Sequence, residues 1–230
     1  MELANAAMKS GTVQNVLLIS SAGCDYAERG KQPRLREFIN IESLVLSTKG
    51  NVNTKLGHSP CVIRASFYAE NLLLYSQQAR NEGILPLPIG EDHKFAPDVT
   101  QVAARVLCGK GPHGFDDRHR GQMMVVTGPM LCAGKELATS ASKALGQTLE
   151  FENISIREAK RVLKSQDIDD SEKEYILEYY SLVREGKTNY IATAAFHDVT
   201  GQHPTEPDEF FRMYSMELRP KKKAKHGNGS

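Results

Sequence analysis

The stretch Val13-Gln14-Asn15-Val16-Leu17-Leu18-Ile19-Ser20-Ser21-Ala22-Gly23 decides the fold. Its centre, Val16–Ile19, is a continuous apolar run that ends in small residues, Ser20 to Gly23. An apolar run of this length, bounded by turn formers, suits a parallel strand covered on both faces. Small residues at its carboxyl end let a ligand approach the backbone, and in open α/β sheets ligands sit at that end. Before it, Glu2–Ser10 carries helix formers and stops at Gly11, a helix-ending signal. A helix that leads into a strand belongs to the middle of a βαβ series. The expected fold is therefore α/β, a parallel sheet represented by its later portion, with its first strands missing.

After the strand, Asp25–Gln32 is polar loop. Pro33 opens a helix, where its missing N–H costs nothing. Leu35, Phe38, Ile39, Glu42 and Leu46 follow at helical spacing, with one apolar face. Ser47–Lys55 is a loop and Cys61–Arg64 the next strand. Ala65-Ser66-Phe67-Tyr68-Ala69-Glu70-Asn71 begins a helix that Leu72–Tyr75 continues. Aromatic and amide side chains just past a strand end are placed to line a cleft, or else to pack the loop on the core; sequence leaves the two readings level. Gly83–Pro97 holds one or two short strands, Val99–Leu107 a helix, Gly109–Gly121 a loop, and Gln122–Val126 a strand. Ala133–Leu145 is a helix closed by Gly146, and Phe151–Ile156 is extended. Helices follow at Ile156–Ser165, Asp170–Glu185 and Phe210–Leu218. The acidic start of the second of these suits the helix dipole. One domain over 1–218 is expected, with elements of a small, mostly helical lobe in 84–98 and 147–218, and a basic disordered tail over 219–230.

Composition narrows the function. The 230 residues carry 29 Lys and Arg against 28 Asp and Glu, a net charge of +1, so no nucleic-acid partner is expected. Cys24, Cys61, Cys108 and Cys132 show no C-x-x-C spacing, which favours free thiols in a reducing compartment. No run is long enough to span a bilayer, and the first residues lack the apolar core of a signal peptide. A cytoplasmic protein is expected. Lys221-Lys222-Lys223-Ala224-Lys225 offers a nuclear address as the alternative to a plain solvated tail.

Several motifs are excluded. Gly109-Lys110-Gly111-Pro112-His113-Gly114 matches G-x-G-x-x-G in letters only. The dinucleotide fingerprint needs a strand before it and a helix after it, and here a helix precedes and polar loop follows. No G-x-x-x-x-G-K-[ST] and no Tyr-x-x-x-Lys occurs, so no local tyrosine–lysine acid/base pair can be built. His113, Asp116, Asp117 and His119 lie together, but without the rigid helical spacing of a metal site, and no metal is expected.

In this order, LLISSAG, QPRLREF, VIRASFYAENLLLY, LPLPIGEDHKFAP, TQVAARVL, MVVTGP, ELATSASKALG and ATAAFHDVTGQHPTEPDEFF together resemble NmrA-like proteins, atypical relatives of the short-chain dehydrogenase/reductases. The resemblance runs from Glu2 to about Arg219. It implies NAD or NADP as cofactor and a small organic molecule as substrate. It assigns Ser20, Ser21, Ala22, Arg64 and Phe67 to the cofactor side of the cleft, and Phe67, Tyr68 and Asn71 to the substrate side. Tyr26 is the nearest proton donor by sequence and the weak catalytic candidate. The implied activity is that of an NAD(P)H-dependent oxidoreductase. The alternative within the family is a non-catalytic NAD(P)-sensing transcriptional regulator that binds a protein partner.

Departures from the family pattern carry expectations of their own. The family's opening strand and glycine-rich turn have no counterpart here, Ser47–Lys55 is longer than the pattern, and Lys94–Val99 is shorter. A truncated product with weak or no activity alone is expected. Val16–Ile19 is then an apolar sheet edge, inviting pairing with another chain. An exposed area of several hundred Å² would represent roughly 10 kcal/mol of burial, comparable with the net stability of a domain.

Overall fold

A computed structural model describes residues 2–49, 58–95, 101–110, 118–189 and 192–220. Among the described residues five strands form two parallel sheets. β1 (Asn15–Ser21), β2 (Ser59–Ala65) and β4 (Gln122–Val126) make the first, in the order β1-β2-β4. β3 (Ile84–Leu87) and β5 (Glu150–Asn153) make the second. In the first sheet Ile19 stands beside Ile63 and Ser20 beside Arg64. The helices are α1 (Glu2–Lys9), α2 (Pro33–Leu46), α3 (Ser76–Glu82), α4 (Gln101–Cys108), α5 (Gly134–Leu145), α6 (Ile156–Lys164), α7 (Asp170–Arg184), α8 (Ala195–Thr200), α9 (Pro207–Met213) and α10 (Ser215–Leu218). Parallel strands joined through helices are the Rossmann-like arrangement that the apolar runs predict.

Two apolar cores divide the labour. The smaller joins Cys61, Ile63 and Val126 of the first sheet to Val102 and Val106 of α4 and Phe196 of α8. The larger runs from Leu35 of α2 through Phe67, Tyr75 and Leu87 to Leu137, Leu163, Tyr179, Tyr180 and Phe211. α7 thus packs on α2, beside the carboxyl ends of β1 and β2. Phe67 is central to this core: its ring lies 5.1 Å from Phe95 at 80°, 5.6 Å from Tyr179 and 5.4 Å from Tyr180. α5 approaches β5 closely, and a Cβ on Gly134 would stand 2.3 Å from the Phe151 ring. α5 stops at Gly146, whose φ of 66° satisfies the left-handed helix end.

Three expectations are corrected. β1 is not buried on both faces: Val16, Leu17 and Leu18 are half-buried and Ile19 is 36% exposed, because no described strand covers its outer edge. Ala65 ends β2 rather than opening a helix, and the next turn, Ala69–Tyr75, is 3-10 before α3 begins. α6 starts at Ile156 as expected, where Ser155 accepts from the Glu158 N–H and the Glu158 carboxylate accepts from the Ser155 N–H. The single helix read over Phe210–Leu218 is two, divided at Tyr214, and α8 is an additional helix. The G-x-G-x-x-G letters, the His113–Asp117 cluster and the Lys221–Lys225 run lie wholly or mostly outside the described residues. Among the described residues no helix is long and apolar enough to cross a membrane, and no three His, Cys, Asp or Glu side chains gather as a metal site.

Candidate functional site

A cavity of about 490 Å³ opens at the carboxyl end of β1. β1 supplies Ile19 and Ser20. The amphipathic face of α2 supplies Phe38 and Ile41, with Arg34 and Glu37 at the mouth. Tyr68 and Asn71 enter from the turn after β2, and Tyr175 and Ile176 from α7, whose exposed first turn adds Ser171 and Glu172. Apolar walls with a few polar groups suit a small organic molecule.

Beneath this cavity lies a buried charge cluster. Arg64 Nε and Nη2 donate to Glu42 Oε1 and Oε2 at 2.9 and 2.8 Å, and Arg64 Nη1 lies 3.0 Å from Asp25 Oδ2. Ser20 Oγ donates to Glu42 Oε1 at 2.5 Å, and the Cys24 thiol reaches the same oxygen at 3.5 Å. Burial pushes the Glu42 carboxyl up, but hydrogen bonds from Arg64 and Ser20 and the guanidinium charge outweigh it and hold the carboxyl below its ordinary value. Burial, then Glu42, push the Cys24 thiol up to about 12, so it is inert as a nucleophile. One carboxylate on α2 therefore ties the ends of β1 and β2 together.

Two serine–tyrosine pairs sit above the cluster. Ser21 Oγ is 3.1 Å from Tyr175 Oη, and Ser66 Oγ is 3.5 Å from Tyr179 Oη. The tyrosines are one helical turn apart on α7, so adjacent strand ends each meet one. Tyr175 lines the cavity, whereas Tyr179 is fully enclosed. Burial pushes both hydroxyls up, Tyr179 to about 12.

Of the residues singled out in the sequence, Ser20, Tyr68 and Asn71 line the cavity together. Ser21, Ala22, Arg64 and Phe67 are buried behind it, Arg64 with both faces of its guanidinium fork committed to carboxylates. Tyr26 is 56% exposed in the turn after β1 and does not line the cavity. Sequence reasoning missed the contribution of α7. The signal available was its aromatic run, Tyr175, Tyr179 and Tyr180, which puts rings on one helical face. It also missed Phe38 and Ile41, which were legible only as the apolar stripe of α2.

The chain is similar to several known proteins. No family model matches it. The NAD(P)H azoreductase of Xenophilus azovorans is 29% identical over 123 residues, 52% of this chain and 41% of that protein. The chain spans about half the length of the curated relatives it matches. Among solved structures, an NADPH-dependent quinone oxidoreductase of Escherichia coli superposes with a TM-score of 0.70 at 20% identity, over 92% of this chain and 70% of that one. NmrA, a negative transcriptional regulator solved in complex with NADP, superposes with a TM-score of 0.60 at 12% identity, over 94% of this chain and 69% of that one. Two parallel sheets, the helices that join them and the cavity at a strand end thus come together in one architecture: the chain has the Rossmann-like fold of the NmrA-like proteins that its sequence resembles.

Proposed function

We propose that this chain provides the substrate side of an NmrA-like, NAD(P)H-dependent oxidoreductase acting on a small organic molecule. The observation that carries the reading is the apolar cavity at the carboxyl end of β1, the place where open α/β folds bind ligands. The azoreductase and quinone oxidoreductase likenesses support the same class. Phe38, Ile41, Tyr68 and Ile176 exclude water from the cavity, and Ser20 and Asn71 orient a polar group within it. Arg64, Ser21, Ala22 and Phe67 act from behind, holding the strand ends in place.

The volume and apolar walls of the cavity support a place for the ring end of the cofactor, but no glycine-rich turn at a described strand end presents backbone N–H groups to a pyrophosphate. The nicotinamide, when bound, supplies a hydride; this chain's residues supply the walls and the orienting groups. Weak or absent activity of these 230 residues alone follows from the same reading. The buried free thiols Cys24, Cys61 and Cys132 suit a reducing compartment, and the cytoplasm is proposed as the location.

Calorimetric titration of the 230-residue chain with NADPH and NADH tests the reading. Little or no binding by the chain alone, restored when the glycine-rich portion of a relative is fused before it, is the expected result. Absence of binding in the fused protein would overturn it. The likeness to NmrA favours a second reading, an NAD(P)-sensing regulator with a protein partner. That reading predicts cofactor binding by the fused protein without turnover of quinone or azo compounds.

A further inference from the structure

The cavity is mostly apolar, yet one of its lining residues, Tyr175, shares a hydroxyl contact with Ser21, which is buried behind the wall. Ser21 Oγ has two neighbours: Tyr175 Oη at 3.1 Å and the Ala22 carbonyl at 3.5 Å. The second is at the outer limit of a hydrogen bond, and in the 3.1 Å contact either hydroxyl can donate. Where the Ser21 O–H donates to Tyr175 Oη, the Tyr175 O–H is left to donate to a ligand. Tyr175 is one of the cavity-lining residues, and its ring is fixed by an edge contact with Phe38 at 6.2 Å and by Tyr179 at 6.4 Å.

We propose that Tyr175, oriented by Ser21, is the donor on the α7 wall that meets a ligand's carbonyl, and that the site selects small aromatic molecules bearing a carbonyl-type acceptor over the same ring without one. The inference rests on the reading of the cavity as a substrate site and adds the group that recognises the ligand. Burial keeps the tyrosine protonated, well above its ordinary value, so it donates across the pH range in which the fold survives. The neighbouring pair, Tyr179 with Ser66, has the same chemistry but is sealed in the core, and provides the internal control.

The test is a pair of NMR titrations with acetophenone and ethylbenzene, which share size and shape and differ in the carbonyl oxygen. Shifts in the methyl signals of Ile19, Ile41 and Ile176 report binding in the cavity. The unmodified chain is expected to bind acetophenone about fivefold more tightly, the effect of one net hydrogen bond. Tyr175→Phe should abolish or reverse the preference while leaving ethylbenzene unchanged. Ser21→Ala should reduce the preference in part, and Tyr179→Phe should leave it intact. A preference that persists in Tyr175→Phe overturns the inference alone, because the cavity would still bind aromatic rings. Failure of both probes to shift the three isoleucines overturns it together with the reading of the cavity.

Discussion

β1 and β2 are neighbours, parallel and similarly apolar, yet every residue of β2 is buried while the middle of β1 is half-exposed. Ile19 and Ile63 state the difference most plainly. They are register partners; one is 36% exposed and the other is fully enclosed. An apolar run reports which faces a strand is fitted to cover, but its burial also depends on having a neighbour at each edge. β2 has β1 and β4; β1 has only β2 among the described strands. The two strands become equivalent again at their carboxyl ends, where Glu42 binds Ser20 of one and Arg64 of the other.

That junction is where the comparison is most easily broken. Arg64→Ala would leave the Glu42 carboxylate buried without its cation, an expected loss of about 3–5 kcal/mol by chemical denaturation. Replacing both, Arg64→Met with Glu42→Leu, should recover much of that loss, since no uncompensated charge remains. The same pair sets a pH dependence. The Glu42 carboxyl titrates lower in the folded chain than in the unfolded one, so its contribution is complete above the ordinary carboxylate range. It is lost as the pH falls through the depressed folded value. Unfolding curves between about pH 6 and 3 should therefore slope less in the double variant than in the unmodified chain. Equal slopes would assign the acid sensitivity to other groups.

The isoleucine pair sharpens the contrast. Ile63→Ala should cost about 2–5 kcal/mol, because the cavity it leaves is closed on all sides. Ile19→Ala removes the same atoms from a site already open to solvent, and should cost less than about 1 kcal/mol. Equal losses, measured side by side, would mean that the edge of β1 is covered in solution.

How much of this was legible beforehand depends on what each feature is made of. The strands β1, β2 and β4 and the helices α2 and α5 follow from local signals: apolar runs, Pro33 at a helix start, and Gly146 at a helix end. The site was legible only where the chain passes a strand end, at Ser20, Tyr68 and Asn71. Its far wall, Tyr175 and Ile176, comes from a helix more than 150 residues away in the chain from Ser20, and no local pattern announces that approach. Arg64 illustrates the converse. A cation at a strand end is a natural ligand-binding candidate, but its committed partner, Glu42, was visible only as one polar position on the inner face of a helix. The solvent exposure of β1 was expected in outline, as an apolar sheet edge, but its magnitude required neighbours to be placed.

The smallest effect on stability has the most to say about β1. If its free edge pairs with a second copy of the chain, sedimentation of the unmodified protein should be concentration-dependent at micromolar levels. Ile19→Lys places a charge on that strand at a position already 36% exposed, with an expected change in stability within about 0.5 kcal/mol. A charge there disfavours edge-to-edge pairing, as lysines do on natural edge strands. The variant should sediment as a monomer, while Met123→Lys on β4, the other edge strand of the same sheet and 45% exposed, should leave association unchanged. Association lost with Met123→Lys but kept with Ile19→Lys would move the sticky edge to β4. The half-exposure of β1 would then be a stable feature of the monomer, and the difference between the two strands a matter of solvent rather than of an absent partner.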